Sequence, residues 1–248
     1  MANFTSFSDI LPDPSNPIGI GGQALATASG GTNGPGFASI AFTSKAPIQL
    51  STTNSGRVIT RSIAGHKWSI SITYNPMTRD QFEPIFSFLL EKNGRLNPFF
   101  VKLPQQATSR NAAFTSYQGS NAIDTAAALT AGVGFMYQDG HSTTEATQPQ
   151  PGDMFTLTDT NDSLHTKAYR VTRVMSNGAY NTAVHDSAPS TSQRIIYFTP
   201  NLQRAVPQNV VVDYTPLVRV LLTTDVQQYS LSTNNLFQFS LKLEEAQA

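Results

Sequence analysis

Residues 67–74 read KWSISITY, with Trp68, Ile70, Ile72 and Tyr74 alternating strictly with Lys67, Ser69, Ser71 and Thr73. A period of two puts all four large side chains on one face of an extended chain. No helix can gather them, so this stretch is a half-buried strand. The same alternation returns near the C-terminus, where Phe237, Phe239, Leu241 and Leu243 face one way and Gln238, Ser240, Lys242 and Glu244 the other. Between these poles lie further short runs: RVITRSI, NPFFVKLP, GDMFTLTD, KAYRVTRV, RIIYFTP, PLVRVLLTT and QQYSLST. Turn-forming clusters such as TNDS and SNG separate them. Gly65 between RVITRSI and HKWSISITY predicts a hairpin joining those two runs.

One helix interrupts this pattern. Thr78 and Gln81 have capping-box spacing, and Phe82, Ile85, Phe86, Leu89 and Leu90 form one apolar stripe. Asn93–Gly94 is a stop signal. Pro84 removes a backbone donor, so the helix either begins near Glu83 or kinks in its first turn. So short a helix is marginal alone. Burying five apolar side chains contributes about 7–15 kcal/mol gross, which points to a helix clamped on the Trp68–Ile70–Ile72 face.

Domain organisation follows from composition along the chain. Residues 1–56 carry only Asp9, Asp13 and Lys45 as charged side chains and are rich in Gly, Pro, Ser and Thr. They read as an N-terminal arm, either a flexible tail or a segment ordered against a neighbouring subunit; Phe37, Ile40, Phe42, Ile48 and Leu50 favour docking of its second half. Residues 57–103 and 208–248 share strong alternation and form one discontinuous β domain. Residues 104–207, bounded by Pro104 and Pro207, read as an inserted small β module. The expected fold class is thus mainly β (α+β).

Little here points to chemistry. The chain has no cysteine, which removes thiol catalysis, disulfides and Cys-based zinc sites. Its net charge is zero, so no overall basic character invites nucleic acid. His66, His141, His165 and His185 do not fall at metal-ligand spacing. Asp159 and Asp162 lie in a DTND turn lacking the glycine and distal glutamate of a calcium loop. GIGG lacks the ending of a phosphate loop, and there is no nucleophile elbow. No catalytic, cofactor-binding or metal-binding residue is assigned, no cofactor is expected, and the chain reads as a non-enzyme. Phe114, Tyr117, Phe135, Tyr137 and Tyr180 in the inserted module are expected to fill its core, although such rings can also stack on sugars. The N-terminus lacks a signal-peptide pattern and no apolar run is long enough to span a bilayer, so a soluble protein made in the cytoplasm is expected.

The layout of residues 57–248 resembles that of bacteriophage tail proteins, above all the distal tail and minor tail proteins of long-tailed phages. The resemblance is carried by Pro76, Arg79, the helix to Leu89, Gly94 and the aromatic strand at Phe99–Phe100, followed by PGDMFTLTD, PNLQRAV and the closing FQFSLKLEEA. It implies a tail-tube-like antiparallel β-sandwich with one flanking helix. It also implies a homohexameric ring in the virion's tail tip, assembled in the host cytoplasm. That ring would contact tail tube protein above and baseplate hub or tail-fibre proteins below, with DNA only in transit and no membrane insertion. A carbohydrate-binding or adhesin protein acting through the inserted module is the alternative from another class, and a glycan-degrading enzyme a more distant one.

Overall fold

The computed structural model describes residues 9–13, 35–62, 65–179, 188–225, 227–232 and 234–246. Fifteen strands and two α-helices occur among them. The order begins β1 (Phe37–Lys45), β2 (Ile48–Thr52), β3 (Val58–Ser62), β4 (Lys67–Tyr74), α1 (Arg79–Glu91) and β5 (Phe99–Lys102). Then come α2 (Ala112–Gln118), β6 (Asp124–Thr125), β7 (Phe135–Asp139), β8 (Met154–Thr158), β9 (Ala168–Met175), β10 (Arg194–Thr199) and β11 (Val211–Asp213). β12 (Leu217–Leu222), β13 (Ser230–Leu231), β14 (Phe237–Gln238) and β15 (Ser240–Glu245) complete it. The protein is mainly β, with antiparallel sheets. It divides into two compact units, one from the described residues of 1–101 and 219–246, the other from those of 102–218.

The first unit is built on a five-stranded sheet in the order β1-β4-β15-β12-β5. β4 lies inside it, paired with β1 on one side and β15 on the other, and Trp68, Ile70, Ile72 and Tyr74 are all buried as their alternation requires. The expected hairpin across Gly65 does not form. β3 pairs with β2, and β4 with β1, so the first four strands make one long antiparallel ribbon whose turn lies at Thr53–Arg57. A long partner upstream supplies many more ladder bonds than a tight turn at Gly65 could. Residues 1–56 are therefore not a separate arm where they are described: β1 is a strand of the sheet, and Leu11 is fully buried and donates its backbone N–H to Phe100 O on the β5 edge, while the Phe100 N–H donates to Asp9 O. Residues 14–34 lie outside the described residues.

Helix α1 spans Arg79–Glu91 straight through Pro84, so it does not start near Glu83. The Thr78 backbone N–H donates to Gln81 Oε1 at 3.3 Å, the half of the capping box that the sequence promises. The buried face is Phe82, Pro84, Ile85, Phe88 and Leu89; Phe86 is half-buried and Leu90 is 53% exposed. The stripe thus turns toward Phe88, which meets Phe99 of β5 edge-on at 5.5 Å, while Phe82 stacks on Phe237 at 4.5 Å. Asn93 and Gly94 both take positive φ and end the helix; a Cβ on Gly94 would also stand 3.0 Å from Asp225 Cα. The closing alternation is broken into β14 and β15 at Phe239, and its buried row continues into Glu245.

The second unit is a closed barrel, β10-β7-β6-β11-β8-β9. Closure leaves no sheet edge. Phe155, Tyr169, Ile196, Phe198 and Tyr214 dominate its packed core. Its strand β11 pairs with both β6 and β8, so the stretch from residue 208 to the start of β12 belongs here and not to the first unit, contrary to the boundary at Pro207. The helix α2, not anticipated from sequence, is capped by Asn111 Oδ1, which accepts from the Ala113 and Phe114 N–H groups.

Candidate functional site: an open sheet edge and an exposed ribbon

Of the two edges of the five-stranded sheet, the β5 edge is covered by the Asp9–Asp13 segment, held there further by the Lys92–Asp9 ion pair. The other edge is β1, nine residues long, with no strand on its outer side among the described residues. It carries no proline and only Lys45 as a charge. Such an edge is a ready template for another chain.

Beyond Lys45 the β1–β4 ladder runs on as the β2–β3 ribbon, in which Ile48 pairs with Ser62 and Thr52 with Val58. Every described side chain of β2 and β3 is exposed. Strand geometry places Ile48, Leu50, Thr52, Val58 and Thr60 on one face, and Gln49, Ser51, Ile59 and Arg61 on the other. Ile48, Leu50, Val58 and Ile59 are 56%, 63%, 57% and 50% exposed. No acidic residue occurs between Asp13 and Asp80, so the ribbon carries only Arg57 and Arg61 as charges, while Lys67 at its root pairs with Glu244 at 3.8 Å.

The ribbon's root is firmly built. Trp68 stacks on Phe42 at 4.6 Å and meets His66 edge-on at 4.4 Å. Its backbone N–H donates to Glu245 Oε2 at 3.1 Å, so a buried carboxylate completes the ladder there. Nothing in the sequence marks Glu245 for this except its place in the apolar row. His66 accordingly lies at the ribbon root, bonded to Ser44 Oγ at 2.8 Å.

A cleft of about 600 Å³ lies elsewhere in this unit, lined by Tyr74, Pro76, Tyr229 and Phe239 with the amides of Gln228 and Gln238. Tyr74 is buried, its hydroxyl has no hydrogen-bond partner among the described residues, and burial together with the charge of Asp13 pushes its pKa up.

In the second unit, Gln138 Oε1 accepts from Tyr214 Oη at 2.8 Å and from His141 Nε2 at 3.1 Å. That fixes the Nε2–H tautomer and leaves the buried His141 Nδ1 without a partner among the described residues. Burial, reinforced by the nearby Arg194 guanidinium, pulls the His141 pKa down to about 3. Arg194 is itself buried and is held by Gln148 Oε1 and the carbonyls of Ser142, Thr191 and Gln193. His165 bonds Tyr169 Oη at 2.8 Å. Each of these histidines is a core residue of its own cluster. His185 lies outside the described residues. Asp159 caps its turn at Asn161, and Asp162 Oδ2 pairs with Arg204 at 2.6 Å. Across β6 and β7, Asp124 stands opposite Asp139, and burial plus that neighbouring charge raises the Asp124 pKa. Among the described residues no three His, Cys, Asp or Glu side chains gather as a metal site would need.

The aromatic residues of this unit correct the sequence reading. Phe114 is core and Tyr117 packs against it. Phe135 and Tyr137 instead share an outer face of β7, where Phe135 is 42% exposed and meets Tyr197 of β10 at 5.9 Å. Arg173 lies over the Tyr197 ring at 5.3 Å. A two-residue period sends Met136 and Gln138 inward and these rings outward. Tyr180 lies outside the described residues.

No helix among the described residues is long and apolar enough to cross a membrane. A scan against protein-family models finds no match, and a search of curated proteins finds none either.

Proposed function

We propose that this chain is a structural subunit of a bacteriophage tail tip, forming a ring, of six copies by the layout it resembles, that joins the tail tube to the baseplate or tail-fibre hub and lets DNA pass. The observation that carries this reading is the combination of an open nine-residue β1 edge with a ribbon whose described side chains are all exposed. A two-stranded ribbon has marginal stability alone in water, and an exposed aliphatic face marks a contact surface. A closed ring resolves both, because each copy's open edge meets the next copy and none is left over. The layout of Pro76, Arg79, the helix, Gly94 and Phe99–Phe100 supports the tail assignment within that class. Light scattering coupled to size exclusion, followed by negative-stain imaging, tests it. A ring runs at several times 26.8 kDa; monomer at all concentrations up to about 100 µM, with and without tail partners, would refute it.

The Phe135–Tyr137–Tyr197 face with Arg173 favours a second reading, carbohydrate binding by the barrel unit. Aromatic rings stacked on sugar faces together with a guanidinium donor suit such a ligand. A glycan array probed with the wild-type chain and with Tyr197→Ala separates this role from assembly.

A further inference from the structure

We infer that the partner of the β2–β3 ribbon is a second copy of this chain, and that the ribbon seats on the outer face of α1 of that copy. The inference rests on the self-assembling reading above and names the two surfaces that meet.

The receiving face is read from helical geometry. Arg79, Asp80, Glu83, Ser87, Leu90 and Glu91 are exposed and share one arc of α1, opposite the buried Ile85 and Phe88. Leu90 is 53% exposed, and the half-buried Phe86 one turn before it meets Tyr229, itself 50% exposed, at 5.5 Å. Phe86, Leu90 and Tyr229 thus make an apolar patch with Glu83 and Glu91 at its rim.

The ribbon is the complement of this patch. The face that carries Arg61 also carries Ile59, 50% exposed and placed between Arg57 and Arg61 along the strand, and the ribbon's only charges are positive. Arg57 and Arg61 lie four residues apart on β3 and its turn, about 14 Å at strand rise. Glu83 and Glu91 lie eight residues apart on α1, about 12 Å at helical rise. Arginine stems lie along apolar surface while their heads reach the rim, so both pairs can close around the apolar contact. The Arg79–Glu83 pair within α1 is exposed and offers little resistance to exchange. Ribbon-on-ribbon packing through the Ile59 face would bring two arginine pairs together with no acidic residue on either ribbon. Like charge therefore disfavours a two-fold contact. A head-to-tail contact between unlike surfaces, the kind that closes rings, fits instead.

The test is a charge exchange between surfaces. Arg57→Glu/Arg61→Glu reverses the ribbon, Glu83→Lys/Glu91→Lys reverses the helix face, and a third chain carries all four changes. All four sites are exposed, and far-UV circular dichroism with a melting curve checks that each variant folds. Self-association is followed by analytical ultracentrifugation from about 0.05 to 1 M NaCl. Each two-site variant is expected to associate at least about tenfold more weakly, and the four-site chain to recover to within about threefold of wild type. Ile59→Ser is expected to weaken association at every salt concentration. If the wild type never associates, both this inference and the ring reading fail. If it associates and the variants do so equally well, the ring reading stands and the ribbon contact is wrong. Weakening without recovery in the four-site chain overturns the pairing with α1. Variants that assemble normally but lose binding to a labelled DNA duplex would show the ribbon to be a nucleic-acid contact, overturning the inference.

Discussion

His141 shows how much one side chain can set the acid limit of a β unit. Its ring is buried, stacked beside Phe114 at 5.9 Å, donates to Gln138 and faces the charge of Arg194. A histidine whose folded pKa lies near 3 stays neutral in the folded chain while the unfolded chain takes up a proton near 6.5. The unfolded state therefore gains protons first, and stability falls as pH drops from about 6.5 toward 3. The slope approaches 1.4 kcal/mol per pH unit for one proton. His165, whose pKa is lowered by burial against opposing carboxylates, acts in the same direction. Chemical denaturation at pH 7 and pH 5 should show His141→Gln losing less stability between the two than wild type does. An equal loss in both chains would show that His141 is not the group responsible. None of this was visible in the spacing of the histidines, because Phe114 on α2 and Arg194 on β10 are distant in sequence and reach His141 only through the fold.

At the level of elements, periodicity was a good guide wherever a single face meets a single neighbour. β4 reads as a strand in the sequence and is one, with Trp68, Ile70, Ile72 and Tyr74 all buried. Truncating Trp68 to Ala is expected to cost roughly 3–5 kcal/mol, lost from Phe42 and the ladder beneath it. Leu90→Ser, on the outer face of α1, is expected to change folding stability by no more than about 0.5 kcal/mol. Thermal melts of the two variants beside wild type check the contrast; a Leu90→Ser chain as damaged as Trp68→Ala would place Leu90 in the core. The sequence pattern allowed Leu90 in the stripe because 3.6-residue periodicity leaves the width of a buried arc undefined. The sheet decides it, and here Phe99 draws the arc toward Phe88. Strand partners were less legible than strands. Gly65 suggested a local hairpin, yet β4 found β1 and β15, because pairing is chosen by the total ladder and by burial on the shared face. The outward Phe135 and Tyr137 were hidden for a similar reason: with aromatic, Met and Gln residues alternating, the sequence does not say which row is inside.

For the whole molecule, the chain leaves the first unit on β5 and returns to it on β12, its neighbour in the sheet. Adjacent strands lie about 5 Å apart, so a short linker can replace what lies between. Deleting residues 103–216 and joining Lys102 to Leu217 through a short Gly/Ser linker is expected to leave a cooperatively melting first unit with β-type circular dichroism. Loss of all cooperative folding would show that the first unit depends on the second. The nesting also has a consequence in time. During synthesis β4 emerges 166 residues before β15, which must lie beside it. At 5–20 residues per second the ribosome needs roughly 8–33 s to cover that gap. Throughout it, the first unit holds a sheet half that cannot be finished, with Trp68, Ile70 and Ile72 uncovered on the β15 side. The barrel, whose strands all lie within one continuous stretch, can close meanwhile. The last six-residue strand is then the step that commits the first unit to its fold, and a nascent chain stalled or truncated before Ser240 presents an unfinished edge to every neighbour it meets.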